Sequence, residues 1–304
     1  MKNAVITGPT GAIGIALINE LINSGIMVTA VCRRNSARIN RLPKSDLVKV
    51  VECNLDEYEK LPELITESQD VFYHFAWGST TGLGRNDIPA QEQNLRSALV
   101  ACESAAKLGC KVFIGSGSQA EYGRVEGVLK SETPCFPENG YGIAKLSAGM
   151  LTRIRAEQLG MKHIWTRILS VYGPYDGEGT LVISMIRKIL NNESPKTTKG
   201  EQIWDFIYSK DAARAFKMLA ENGVHGKVYP IGSGNGRPLR EYIEAISKET
   251  NPEVEIGFGE IPYAPKQVMH LCADISELTK DVGFVPEVSF EEGIKNTVEW
   301  CRRT

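Results

Sequence analysis

Residues 4–25 read AVITGPTGAIGIALINELINSG, and this stretch limits the fold more than any other part of the chain. Ala4, Val5 and Ile6 form an apolar run with no polar alternation, which suits a strand covered on both faces. Gly8, Gly11 and Gly14 follow at once. Ile15, Ile18, Leu21 and Ile22 then fall on one helical face, with Gly25 placed to close the helix. Strand, glycine turn and helix together open a βαβ unit. Such a turn lets the backbone approach an anion closely, at a helix N-terminus whose free N–H groups attract negative charge. Glycines also mark ordinary turns, and the spacing here is GxxGxxG rather than GxGxxG. Its place at the start of a βαβ unit favours a nucleotide over a plain turn.

The alternation continues. Strand-like runs at 27–32, 47–53, 70–76, 111–118 (with its exit loop) and 163–169 are separated by helical patterns, the longest at about 89–108 and 141–159, closed by Gly109 and Gly160. This pattern predicts an α/β fold, a doubly wound parallel sheet with helices on both faces. After about residue 170 the segments YGPYDGEGT, NNESPKTTKGEQ and IGSGNGRPL break the regularity. They predict a smaller, loop-rich lobe at the carboxyl edge of the sheet, where such folds bind ligands. The expected division is a nucleotide-binding domain over 1–169, to which 204–228 returns, and a substrate lobe made of 170–203 and 229–304.

Composition excludes other classes. With 304 residues, a net charge of −2 and no basic stripe, the chain has no electrostatic footprint for nucleic acid. No apolar run approaches the roughly 18 residues of a membrane span, and the N-terminus reads as a strand rather than a leader. The seven cysteines, at 32, 53, 102, 110, 135, 272 and 301, form no CxxC pair and predict reduced thiols in a cytoplasmic protein. The four histidines make no metal-ligand cluster.

At the end of the second strand, where dinucleotide binders usually carry a carboxylate for the adenosine ribose, stand Cys32, Arg33 and Arg34. Two guanidiniums suit a 2′-phosphate, so NADP is expected ahead of NAD. Tyr141 and Lys145 lie four residues apart, one above the other on a helix. Alone that pair is weak, but it follows a glycine turn and the serine-bearing stretch GSGSQAEYG at 115–123.

In this company the chain resembles the extended short-chain dehydrogenase/reductase superfamily, in its branch of NAD(P)-dependent sugar-nucleotide epimerases, dehydratases and reductases. TGPTGAIG matches the family's TGxxGxxG, Asn54-Leu55 stands at its Asp-Leu, and His74-Phe75-Ala76 matches its HxA. Ser118, Tyr141 and Lys145 fall at the serine and YxxxK positions. RILSVYGP (167–174), WDFIYSKDAARA (204–215) and VYPIGSG (228–234) follow in order. The resemblance implies that Gly8, Thr10, Gly11, Ala12, Ile13, Gly14, Arg33, Arg34, Asn54, Leu55, Phe75 and Ala76 hold the cofactor, with Tyr141 and Lys145. It further implies that Tyr141 exchanges the proton of a sugar hydroxyl while the nicotinamide exchanges a hydride with the same carbon. Ser118 would bond that oxygen, and Lys145 would bind the ribose and depress the tyrosine pKa. Asn94 would support the lysine through a water or backbone link.

Gln119 and Ala120 stand where the family's dehydratases carry an Asp-Glu pair, and an amide and a methyl cannot do that acid–base work. A lone histidine such as His270 is a packing residue in the simpler reading. Two reactions remain: reduction of a nucleotide-linked 4-keto-6-deoxy sugar with NADPH, or C4 epimerisation with NAD. A third reading, of another class, is a non-catalytic NADP-binding sensor. Trp77, Ser118, Gln119 and Ser170 are the candidate substrate contacts, and Arg85, Lys196, Lys199, Arg237 and Lys266 are loop cations within reach of a diphosphate. Ser170, Trp204 and Pro230 depart from the family's Asn, Arg and Asn. The two long helices carry small residues (Ala98, Ala101, Ala105, Ala144, Ala148), and the resemblance implies a homodimer paired through those helices.

Overall fold

A computed structural model describes all residues, 1–304. Seven strands form one wholly parallel sheet: β1 Asn3–Thr7, β2 Met27–Cys32, β3 Val48–Glu52, β4 Val71–His74, β5 Val112–Ser118, β6 Lys162–Ile168 and β11 Val228–Ile231. Their order is β11-β6-β5-β4-β1-β2-β3, so the winding reverses between β1 and β4. A doubly wound sheet opens a crevice for ligands at that reversal.

Helix α1 (Ala12–Asn23) buries Ile15, Leu17, Ile18 and Leu21 on one face of the sheet, beside α6 (Ser209–Asn222) with Ala212, Ala213, Phe216 and Leu219. The other face carries the one-turn α2 (Leu61–Leu64), α3 (Ile88–Lys107) and α4 (Gly140–Gln158). Asp87 caps α3 by accepting from Ala90 N–H, and Asn139 caps α4 by accepting from Gly142 N–H at 2.9 Å. These caps explain why both helices begin where they do.

The second lobe is built from short strands and amphipathic helices. It contains β7 (Ser170–Tyr172), α5 (Leu181–Leu190), β8 (Lys196–Thr197), β9 (Ile203–Trp204) and β10 (Phe206–Tyr208). After α6 and β11 come β12 (Arg237–Pro238), α7 (Leu239–Thr250), β13 (Gly257–Phe258) and β14 (His270–Leu271), then α8 (Ser276–Val282) and α9 (Phe290–Arg303). Its core joins Ile183, Ile186, Phe206, Tyr242, Ile246, Phe290 and Ile294. No helix is long and apolar enough to cross a membrane.

The expected lobe boundaries move in two places. Phe206 and Tyr208 of β10 pack into the second core while Ile207 between them packs into the first, so the chain returns to the first domain through β10 and then α6. It also ends later than 228, because Tyr229 and Ile231 complete the parallel sheet beside β6. Leu278 and Phe284, from the 229–304 segment, pack into the same first core. The reason is local: an apolar strand next to β6 gains a full ladder there, and Pro230 is tolerated because β11 is an edge strand.

The alanines expected to face a partner are instead buried inside the chain. Ala98, Ala101, Ala105 and Ala148 are wholly covered, where α3 meets α4 and the sheet. Small side chains bring these two helices close to each other, and the larger Ile143, Met150, Leu151 and Ile154 of α4 are left outside.

Candidate active site

The glycine turn between β1 and α1 is held against the end of β4. Gly8 has φ +69°, and a Cβ there would stand 2.8 Å from Ala76 N and 2.9 Å from Phe75 C. A Cβ on Gly14 would lie 2.6 Å from Gly8 O. Gly11, by contrast, has nothing within 4 Å of where its Cβ would be, and it caps α1 with no side chain over the helix end. Two glycines therefore close the turn, and the third leaves a space beside free N–H groups. That arrangement fits a dinucleotide pyrophosphate. Thr10, Ala12 and Ile13 complete the same half-buried turn. The Thr7 hydroxyl accepts from Phe75 N–H and Ala76 N–H at 3.2 and 3.3 Å, tying the turn to the HFA segment.

At the ribose end the two arginines differ. Arg33 is exposed and has no ion-pair partner, whereas Arg34 pairs with Glu57. Asn54 accepts from Arg34 N–H at 3.0 Å, and Leu55 packs onto the core beneath α3. One guanidinium, not two, is free to meet a 2′-phosphate.

The candidate catalytic group assembles from two elements. Ser118 ends β5, while Tyr141 and Lys145 occupy the first turns of α4. The Ser118 hydroxyl accepts from Ala120 N–H at 3.2 Å. Lys145 is buried, donates to the carbonyl and hydroxyl of Ser116, and has its Nζ 3.8 Å from the centre of the Trp77 ring. Burial pulls this lysine down to about 7. Burial pushes Tyr141 up, opposed by the Ser118 hydrogen bond and the charge of Arg85. Lys145 stands 5.8 Å from the tyrosine ring, farther than Arg85 at 4.8 Å. Arg85 is thus a second cation at the Tyr141 ring, beside the expected Lys145.

Asn94 does not touch the lysine. Its side chain closes a ring with Gly78, accepting from Gly78 N–H at 2.9 Å and donating to Gly78 C=O at 3.0 Å. Gln91 accepts from the Trp77 indole N–H at 2.9 Å. Asn94 thus fixes the segment whose tryptophan covers Lys145, a link through backbone and ring. Trp77 meets Tyr141 edge-on at 6.3 Å between centroids.

Behind Ser118 lies a buried ion pair absent from the sequence reading. Glu121 accepts from Ser118 N–H at 2.8 Å, from Trp165 Nε1 at 3.1 Å and from Arg167 Nε at 2.9 Å. Burial pushes its carboxyl upward, against Arg167 and the other donors. Sequence carried only a faint signal of it, a glutamate three residues after the serine and the arginine of RILSVYGP.

A cavity of about 760 Å³ opens between the lobes beside Tyr141. Of the candidate substrate contacts, Ser170 lines it, whereas Trp77, Ser118 and the half-buried Gln119 do not. Arg85 and Lys196 line it too, with Lys196 paired to Glu260. Lys199, Arg237 and Lys266 do not, and Arg237 is engaged by Glu291 and Tyr242. Lys188, which the sequence reading passed over, is a further cation on the wall. His270 faces a different cavity. Two departures from the family pattern prove to be one feature, since Trp204 Nε1 donates to Ser170 Oγ at 2.8 Å. Asp205, beside Trp204, accepts from Ser233, Gly234 and Ala273 and is a knot between loops rather than a site residue.

The family model that matches residues 4–232 describes the NAD-dependent epimerase/dehydratase family. Among individual proteins, the chain is 28% identical to the CDP-abequose synthase of Salmonella muenchen, over 97% of this chain and 96% of that one. It is 26% identical to the dTDP-4-dehydro-6-deoxyglucose reductase of Escherichia coli, over 99% and 98% of the two chains. The crystal structure of UDP-glucose 4-epimerase from Thermotoga maritima, solved with UDP-glucose, superposes with a TM-score of 0.89 at 27% identity, covering 99% of both chains.

Proposed function

The chain belongs to the NAD-dependent epimerase/dehydratase family, a family of enzymes, and within it we propose a reductase of a nucleotide-linked 4-keto-6-deoxy sugar with Tyr141 as proton donor. One observation separates this reading from a dehydratase, and the unpaired Arg33 after β2 favours it over an epimerase. The turn after Ser118 offers Gln119 and Ala120, so the site keeps a proton donor and lacks the acid–base pair that elimination of water needs. A bound nicotinamide cofactor supplies the hydride. The chain's own residues hold the carbonyl oxygen between Ser118 and Tyr141, and burial keeps Tyr141 protonated at neutral pH, the form a donor requires. The Gly8–Gly14 turn holds the pyrophosphate, and Lys145 binds the ribose beside Trp77. The relative named for a 4-dehydro-6-deoxyglucose supports the substrate class. The Ser170–Trp204 pair puts an indole where relatives have an arginine, so the cavity grips the diphosphate with Lys188 and Arg85.

A second reading is favoured by the Arg34–Glu57 pair, which removes one of the two cations expected to select NADP. It makes the protein a C4 epimerase that recycles NAD. The experiment is to denature the purified protein and identify the released nucleotide, then titrate emptied protein with NADPH and NADH. Near-stoichiometric NAD overturns the reductase. Empty protein that prefers NADPH and consumes it with a keto-sugar nucleotide supports it. We place the enzyme in the cytoplasm, on its seven free thiols, and as a homodimer through α3 and α4.

A further inference from the structure

Arg85 belongs to the short turn Gly82–Asn86, which follows the Trp77 segment and precedes α3. The turn is fixed from both sides. Gln91 donates to Ser79 C=O and Gly84 C=O at 3.0 Å each, and the Asn86 side chain accepts from Gly140 N–H at 2.9 Å, at the start of the catalytic helix. The guanidinium so held lies over the Tyr141 ring, 4.8 Å from its centre. Its Nε is buried without a hydrogen-bond partner, and no carboxylate pairs with it. An uncompensated guanidinium held against one aromatic face is costly unless its charge is used there.

We propose that Arg85 is a positioning residue for the proton transfer, its fixed charge stabilising the anion that Tyr141 becomes on giving up its proton. The inference rests on Tyr141 as the proton donor. The other groups facing Tyr141 divide as follows. Ser118 at the end of β5 favours the anion, Glu121 from the next turn opposes it, and Trp77 meets the ring edge-on. Lys145 on the tyrosine's own helix is turned to Ser116 and Trp77, and burial pulls its own pKa low. Arg85 faces the ring from a separate loop, 4.8 Å from its centre. With the substrate bound, the same guanidinium lies on the cavity wall, so the tyrosine and the ligand share one charge.

The test is a tyrosine titration by NMR with ¹³Cζ-labelled tyrosine, on the full chain as purified, using Tyr141→Phe to identify the signal. Arg85→Gln is expected to raise the Tyr141 midpoint by about one unit or more, the size expected of a cation at this range in a half-buried site. Arg85→Lys is expected to restore most of that shift. Arg85→Met, which keeps the aliphatic stem over the ring, serves in place of the glutamine variant should that one fail to fold. An unmoved midpoint in the uncharged variant overturns the proposal, as does an equal shift in the lysine variant, which would mark a packing effect. Turnover of Tyr141→Phe is measured separately: full activity there removes the tyrosine's role while the titration still reports on Arg85.

Discussion

His74 and His163 are buried in one stacked row, His74–Phe113–His163–Trp165, with centroids 6.2, 5.9 and 6.1 Å apart across β4, β5 and β6. Each has one ring nitrogen bonded to a threonine, Thr7 at 3.0 Å and Thr152 at 2.9 Å, and the other without a partner. Burial pulls both down to about 3, so both are neutral in the folded chain. The unfolded chain takes up protons at these residues below about pH 6.5, and the folded chain does not until about pH 3. Stability attributable to each is therefore complete above pH 6.5 and falls steadily between 6.5 and 3. At pH 5.5 the loss is about 1.4 kcal/mol per histidine. Asp176, whose carboxyl burial raises to about 6, works in the opposite direction over part of that range, so the comparison must be differential. Urea unfolding of the natural chain and His163→Gln at pH 7.5 and 5.5 should show the natural chain losing about 1.4 kcal/mol more than the variant. Equal losses would mean that His163 charges in the folded state.

Within the elements, the turn before α1 separates fold from ligand binding. Gly11 is open and has an ordinary φ of −89°, so Gly11→Ala leaves the chain stable, but its methyl enters the space beside the free N–H groups. Cofactor affinity is expected to fall about tenfold or more with an unchanged melting temperature, read by fluorescence titration and calorimetry. Gly14→Ala drives a Cβ into the Gly8 carbonyl and should cost about 1–3 kcal/mol of stability as well. Equal behaviour of the two variants would contradict the division of roles. The pair Glu121–Arg167, 46 residues apart, ties the turn after β5 to β6 in the same architectural sense. Glu121→Ala leaves Arg167 buried without its partner, and equilibrium unfolding should show a loss of about 3–5 kcal/mol. The contrast shows what sequence could carry. A glycine triplet between an apolar strand and an amphipathic helix states its geometry locally, and so did the spacing of Tyr141 and Lys145. Glu121 with Arg167, Arg85 over Tyr141, and Trp204 with Ser170 each join residues from separate loops, and such meetings follow from tertiary convergence that no local spacing encodes.

For the whole molecule, the small-residue pattern on α3 and α4 was legible as close helix packing but did not say against what. The alanines are spent inside the chain, and the free face belongs to Ile143, Met150, Leu151 and Ile154, on one side of α4 and about half exposed. Four large apolar side chains at helical spacing form the kind of patch that marks an association surface. That helix also carries Tyr141 and Lys145, and its first turn is bonded to the Arg85 loop through Asn86 and Gly140. Pairing of two copies along α4 would hold the catalytic helix and the loop in register, so assembly and turnover should be coupled. Sedimentation is expected to give twice the chain mass for the natural protein. Met150→Glu combined with Ile154→Glu should give the single chain mass with unchanged far-ultraviolet circular dichroism, since both side chains point away from the core. Turnover of the separated chains should drop by about tenfold or more, the scale expected when reacting groups lose their fixed placement. A natural protein that sediments as a single chain would mean that this face is covered by something other than its own copy. Separated chains that keep full turnover would mean that α4 needs no partner to hold Tyr141 and Lys145 in place.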